Sequence, residues 1–154
     1  GVDFIAIGRA VWNDIKAMSF VEGGSTITQQ IAKNQYYTQE KKLKRKFAEI
    51  FTAIELEKYC SKQEIFELYV NTIYFGDGYY GIYDAAKGYF GKQPSELSDY
   101  EAIMLAGLPN APSAYSPSTN PELAYSRMKI VLSKMVECNA ITQEEAEVIL
   151  TDGK

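Results

Sequence analysis

The nine residues Glu22-Gly-Gly-Ser-Thr-Ile-Thr-Gln-Gln30 are the part of the chain whose types and spacing best suit chemistry. Two glycines free the backbone, two hydroxyl residues follow, and a helix then opens on two amides. Thr26 with Gln29 fits a capping box, with Ser25 as the alternative cap. A helix start of this kind points unpaired N–H groups forward and carries roughly half a positive charge, which makes it an anion site. Lys33 lies four residues after Gln29, so a cation and an amide donor share one face behind the loop. Ser25, Thr26, Gln29, Gln30 and Lys33 are therefore candidates for gripping an anionic ligand. A plain capped helix after a glycine turn accounts for a bare Gly-Gly-Ser-Thr equally well; the full string is the more specific signal.

A second cluster follows. Lys41, Lys42, Lys44, Arg45 and Lys46 crowd the opening of the next helical pattern, with Glu49 one turn past Arg45. Cations at a helix N-terminus oppose its dipole, at a cost of about 0.3 kcal/mol or more each, so the crowding is poor local design without an anion to receive it. A solvated basic face is the competing reading. The partnership with the first motif favours the ligand: Lys33, the helix start and Arg45 are expected to converge on one polyanion such as a diphosphate. Glu49 beside these cations stays ionised. That suits it to holding a metal or steering a leaving group better than to acting as a general base.

Those residues have to be placed by an almost wholly helical chain. Apolar periodicity predicts helices over about 3–18, 26–34, 41–59, 62–72, 82–89, 98–108, 121–139 and 142–150. In the third, Phe47, Ile50, Phe51 and Ile54 form an apolar stripe. Ser98 with Glu101 and Thr142 with Glu145 make further capping boxes. Between 74 and 81 lies a glycine-punctuated aromatic loop in which Gly76, Gly78 and Gly81 are expected at positive φ, with a short hairpin near Ile73–Phe75. There Tyr79 and Tyr80 read either as cleft lining or as packing. Pro109, Pro112 and Pro117 enforce another loop. Glu67 and Asn71, four apart on the fourth described pattern, read as a bonded pair or as support for the site.

Composition narrows the chemistry. The chain of 154 residues is one domain with enough core to fold. It holds no histidine, which removes Ser-His and Cys-His catalysis within the chain, so acid–base work falls to carboxylates, lysine or tyrosine. Cys60 and Cys138, the two cysteines, form neither a zinc pattern nor a disulfide framework. A net charge of −4 argues against nucleic acid as a partner. No signal peptide or membrane-spanning run is visible. The opening Gly1-Val-Asp-Phe-Ile-Ala-Ile is already inside an apolar pattern, so the chain reads as a piece of a longer protein.

With these motifs in view, the chain resembles the peptidoglycan glycosyltransferases of family 51, found in class A penicillin-binding proteins and monofunctional cell-wall glycosyltransferases. The family's second motif is read here as Gly24-Ser-Thr-Ile-Thr-Gln-Gln30 followed by Lys33. Its third is Arg45-Lys46-Phe-Ala-Glu49. Its fourth is Ile65-Phe-Glu-Leu-Tyr-Val-Asn71, running on through Tyr74-Phe-Gly-Asp-Gly-Tyr-Tyr-Gly-Ile82 to Tyr89-Phe-Gly-Lys92. A fifth runs from Leu97-Ser-Asp-Tyr-Glu101 through Leu105-Ala-Gly-Leu-Pro109 to Tyr115-Ser-Pro117. Lys41 corresponds to a basic residue between the second and third motifs.

The resemblance implies a mainly α, lysozyme-like helical domain over 1–154 with a small membrane-facing lobe. It implies polymerisation of lipid II into β-1,4-linked glycan at the extracytoplasmic face of the bacterial cell membrane, with inversion and release of undecaprenyl diphosphate. Ser25, Thr26, Gln29, Gln30, Lys33, Lys41, Arg45 and Lys46 would bind the substrate and its diphosphate, and Glu49 would serve catalysis, with Glu67 and Asn71 in support. A divalent cation, magnesium or manganese, would accompany the diphosphate near Glu49. The partners implied are lipid II, the growing glycan strand, the membrane surface, moenomycin-type inhibitors and a transpeptidase domain following in the parent protein.

One departure stands beside these matches. The family's first motif ends in Gly-Ile/Val-Asp, and the chain begins at Gly1-Val2-Asp3. The glutamate that deprotonates the acceptor hydroxyl is then expected upstream, leaving the 154-residue polypeptide nearly inert, with its first motif largely missing and any membrane anchor also upstream. Two other readings stay open. One is a non-catalytic module binding lipid-linked glycan. The other is a lysozyme-like glycan cleaver, which would need a carboxylic acid in an apolar pocket and no diphosphate cradle.

Overall fold

The computed structural model describes the backbone of residues 26–36 and 42–153 and the side chains of 26–33 and 48–151. The described residues form α1 (Ile27–Tyr36), α2 (Lys42–Tyr59), α3 (Lys62–Thr72), α4 (Ile82–Phe90), α5 (Asp99–Gly107), α6 (Pro121–Glu137) and α7 (Gln143–Asp152). Short 3-10 turns at Pro94–Glu96 and Leu108–Asn110 join the later helices. The first expected helix, over 3–18, lies outside the described residues.

Helix starts follow the capping chemistry. Ser98 and Thr142 each accept from the N–H three residues on, while Glu101 and Glu145 reach back to the cap's own N–H. Ser61 with Glu64 makes a further such box at the start of α3. The loop after α3 closes on a single antiparallel bridge, Tyr74 with Tyr80, rather than a hairpin of two strands. Gly76, Gly78 and Gly81 have φ of 95°, 83° and 83°. At Gly81 a side chain is excluded twice over, because a Cβ there would lie 2.5 Å from the Asn71 carbonyl oxygen. Tyr79 packs edge-on to Tyr89 and covers Gly88, so its role is packing, whereas Tyr80 is exposed.

Two apolar clusters hold the helices. The first joins Ile27 and Ile31 of α1, Ile65 and Tyr69 of α3, Ala85 and Ala86 of α4, and Leu105 and Leu108. The second joins Ile103 and Met104 of α5 to Met128, Val131, Leu132 and Met135 of α6 and Ala146 of α7. Helix α5 serves both, which is why its Ile103-Met-Leu105 run is apolar on more than one face.

Candidate functional site

The sequence predicts that α1 opens with a capping box, and the structure has it. Thr26 Oγ1 accepts from the Gln29 N–H at 3.2 Å, and the Thr26 N–H donates to Gln29 Oε1 at 3.3 Å. The Gln30 N–H is taken by the Thr26 carbonyl. Among the described residues, that leaves the N–H groups of Ile27 and Thr28 to face whatever lies before the helix. Gln29 spends its amide oxygen on the cap and keeps its NH2 group outward. Lys33, a turn further on, is exposed.

Two cross-helix hydrogen bonds fix α1. Thr28 Oγ1 donates to Glu57 Oε1 of α2 at 2.7 Å. Tyr69 Oη of α3 donates to Gln30 Oε1 at 3.2 Å. Neither Thr28, Glu57 nor Tyr69 was among the sequence candidates. Thr28 and Tyr69 do fall inside motifs already read, but contacts between residues 29 and 39 positions apart leave no local spacing signal.

The Thr28–Glu57 bond joins the beginning of α1 to the far end of α2, so the two helices run antiparallel. The α1 start therefore lies at the Glu57 end of α2, away from the backbone of Arg45. Arg45 is twelve residues before Glu57 in the same helix, about 18 Å along its axis at 1.5 Å per residue. A diphosphate is far shorter than that. Lys33 lies on the part of α1 nearer the Arg45 end, so Lys33 with Arg45 remains a geometrically compatible pair, and the α1 start faces a different part of any shared ligand. The backbones of Arg45 and Lys46 lie in α2, while Ser25 and Lys41 lie outside the described residues.

A correction concerns α2. Phe51 and Ile54 are 72% and 60% exposed, so the apolar stripe does not mark the buried face. That face is Glu49, Ala53, Leu56 and Cys60, with Glu49 only 3% exposed. The spacing of four, three and four is as helical as that of the stripe; tertiary packing chose the face that carries a carboxylate. Phe47 is outside the described side chains.

Glu67 and Asn71 are both exposed, and no hydrogen bond joins them. Each is two positions from Tyr69, hence on the far side of α3 from the residue that touches α1. For a metal, the donor set is thin: among the described residues no three His, Cys, Asp or Glu side chains gather, and Glu49 brings a single carboxylate. The described residues therefore do not build a cation cage.

Comparison with known proteins identifies the family. The family model described as transglycosylase matches residues 1–136. Penicillin-binding protein 1A of Aquifex aeolicus is 48% identical over 147 residues, covering 96% of this chain and 20% of that protein. Penicillin-binding protein 2D of Bacillus subtilis is 44% identical over 152 residues, covering 99% and 22% respectively. The crystal structure of penicillin-binding protein 1A from Haemophilus influenzae superposes with a TM-score of 0.56 at 29% identity, covering 84% of this chain and 16% of that one. The chain thus spans about a fifth of the length of the curated relatives it matches. The match over residues 1–136 and these identities over nearly the whole chain show that the chain belongs to the transglycosylase family.

Proposed function

We propose that this domain is a peptidoglycan glycosyltransferase, joining lipid II units into β-1,4-linked glycan at the outer face of the bacterial cell membrane. The observation that carries the reading is α1 itself: a capped helix start, Gln30 tied down from α3, and an exposed Lys33, within a transglycosylase match of residues 1–136.

Lys33, with Lys41, Arg45 and Lys46, binds the diphosphate that leaves with the polyprenyl carrier. Ser25, Thr26 and Gln29 bind the sugar portion of the same substrate, with Thr26 and Gln29 at the other end of the α1–α2 hairpin. Stabilising charge as it develops on the leaving group is the largest contribution such a site makes to rate. Glu49, on the buried side of α2, orients these cations. The acceptor hydroxyl is deprotonated by the first-motif glutamate of the family. A divalent cation would add to charge neutralisation at the diphosphate. It would be held largely by the phosphate oxygens, given the single carboxylate that Glu49 offers. In the parent protein a transpeptidase domain follows, and moenomycin-type compounds compete for the diphosphate subsite.

The test is lipid II polymerisation by a polypeptide that includes the whole first motif. Lys33→Ala and Glu49→Ala are each expected to reduce it by about a hundredfold or more with helicity unchanged. Turnover at the wild-type rate in both variants removes the assigned roles. Release of soluble muropeptides from cell wall, in place of polymer formation, would favour a glycan cleaver.

A further inference from the structure

Tyr69 is 2% exposed, on the inward face of α3 between Ile65 and Ile73, which are also buried. It belongs to the apolar cluster that includes Ile27 and Ile31 of α1. Phenylalanine would fill this space without desolvating a hydroxyl, so the hydroxyl needs a reason to be there. Among the described residues its partner is Gln30 Oε1, 3.2 Å away across the helix interface. Burial pushes the phenol up to about 12, so it stays protonated and remains a donor throughout the range in which the protein works.

Accepting that proton settles which way the Gln30 amide faces. The oxygen is turned to Tyr69, which leaves the NH2 group of the half-buried Gln30 as its donor for other partners. Gln30 is three residues before Lys33, hence on the same side of α1. The Thr28–Glu57 bond ties α1 to α2 near its start, and the Tyr69–Gln30 bond ties it to α3.

We propose that Tyr69 is a positioning residue that holds the Gln30 amide with its NH2 donor presented beside Lys33, ready for an oxygen of a polyprenyl diphosphate. This rests on the diphosphate-binding reading above and names the device that prepares it. A glutamine side chain free to rotate has to be immobilised when ligand binds, whereas one already held does not.

The experiment is calorimetric titration of the 154-residue chain with farnesyl diphosphate, alongside thermal unfolding, for wild type, Tyr69→Phe, Gln30→Leu and the double variant. Tyr69→Phe is expected to weaken binding about two- to tenfold while the melting temperature moves by only a few degrees. Gln30→Leu should weaken it at least as much, and the double variant no further than Gln30→Leu alone, because the phenol acts through the amide. An unchanged affinity in Tyr69→Phe with a lowered melting temperature means a purely structural hydroxyl and overturns the proposal, as do fully additive losses. A wild-type chain that does not bind farnesyl diphosphate defeats the diphosphate reading itself, and the positioning role with it. Proton NMR covers the case in which Tyr69→Phe does not fold. A slowly exchanging phenolic proton is expected in the wild type and should be lost in Gln30→Leu; its absence from the wild type overturns the proposal.

Discussion

In the α1–α2 hairpin a hydroxyl and a carboxylate are buried beside Ile27 and Ile31 while two large apolar residues of α2 are exposed; the interior of the α5–α7 packet is almost wholly apolar. Thr28 and Glu49 lie inside the first region while Phe51 and Ile54 face out. In the second, Met128, Val131, Leu132 and Met135 fill the interior, and hydroxyl–carboxylate pairs stay at the helix starts. Its buried cation, Arg127, lays its guanidinium 5.6 Å from the Tyr115 ring centroid and its stem along Gly107. The difference separates what holds a helix from what aims one. Apolar contact fixes that two helices touch, whereas directional hydrogen bonds fix which side chain points where.

Substitutions should sort the same way. Met128 has no exposed surface, and Met128→Ala is expected to cost about 2–5 kcal/mol of stability. In urea melts that loss would be plain, while the folded fraction should still bind farnesyl diphosphate as the wild type does. Lys33→Ala should do the opposite, losing the ligand while shifting stability by less than about 0.5 kcal/mol, because Lys33 is exposed. If Met128→Ala weakened binding in its folded state, or Lys33→Ala unfolded the chain, the contrast between the regions would break.

Thr28→Val sharpens the contrast from the hairpin side. It keeps the side-chain shape and removes the hydroxyl that reaches Glu57. Glu57 is exposed enough for water to replace the lost donor, so the expected cost is only about 1 kcal/mol. Binding should weaken measurably with it, since α1 is released at the end that carries the cap. The same stability loss with unchanged binding would make the bond an ordinary surface contact.

These contrasts also show what could be read beforehand. Capping boxes were legible because their chemistry is complete within four residues: Thr26 with Gln29, Ser98 with Glu101 and Thr142 with Glu145 all form. Ser61 with Glu64 carried the same local signal and went unused. The glycines of the aromatic loop were legible for the same reason, since positive φ is a property of one residue. The buried face of α2 was not. Two stripes of equal helical period compete there, and the winner depends on where α1 lies. Burial of Glu49 is a property of the site, so hydrophobicity alone pointed to the wrong side. Tyr69 stood only inside a motif string; it is core, and its hydroxyl has meaning only once α3 is placed against Gln30. Lys92 read as the end of a motif, yet it grips Glu101 across the junction of the two clusters.

That last contact offers the smallest of these effects and the one with a defined pH dependence. Lys92 Nζ lies 2.7 and 2.8 Å from the two Glu101 oxygens, while one of those oxygens also takes the Ser98 N–H. Burial on its own pushes the carboxyl up, but the Lys92 ammonium and the Ser98 N–H outweigh it and hold Glu101 below the ordinary value of 4.5. A carboxylate depressed in the folded state adds stability that is present above its unfolded value and disappears as the pH falls through its folded one. Glu101→Gln is therefore expected to cost up to about 1 kcal/mol near neutral pH, with the gap from wild type closing on acidification below about pH 4. The bridge joins the turn that follows α4 to α5, which serves both clusters. A loss confined to α5–α7, read by amide hydrogen exchange, would show the clusters unfolding separately. An equal loss of protection in α1 would show that the aimed helix depends on the packed ones for its stability.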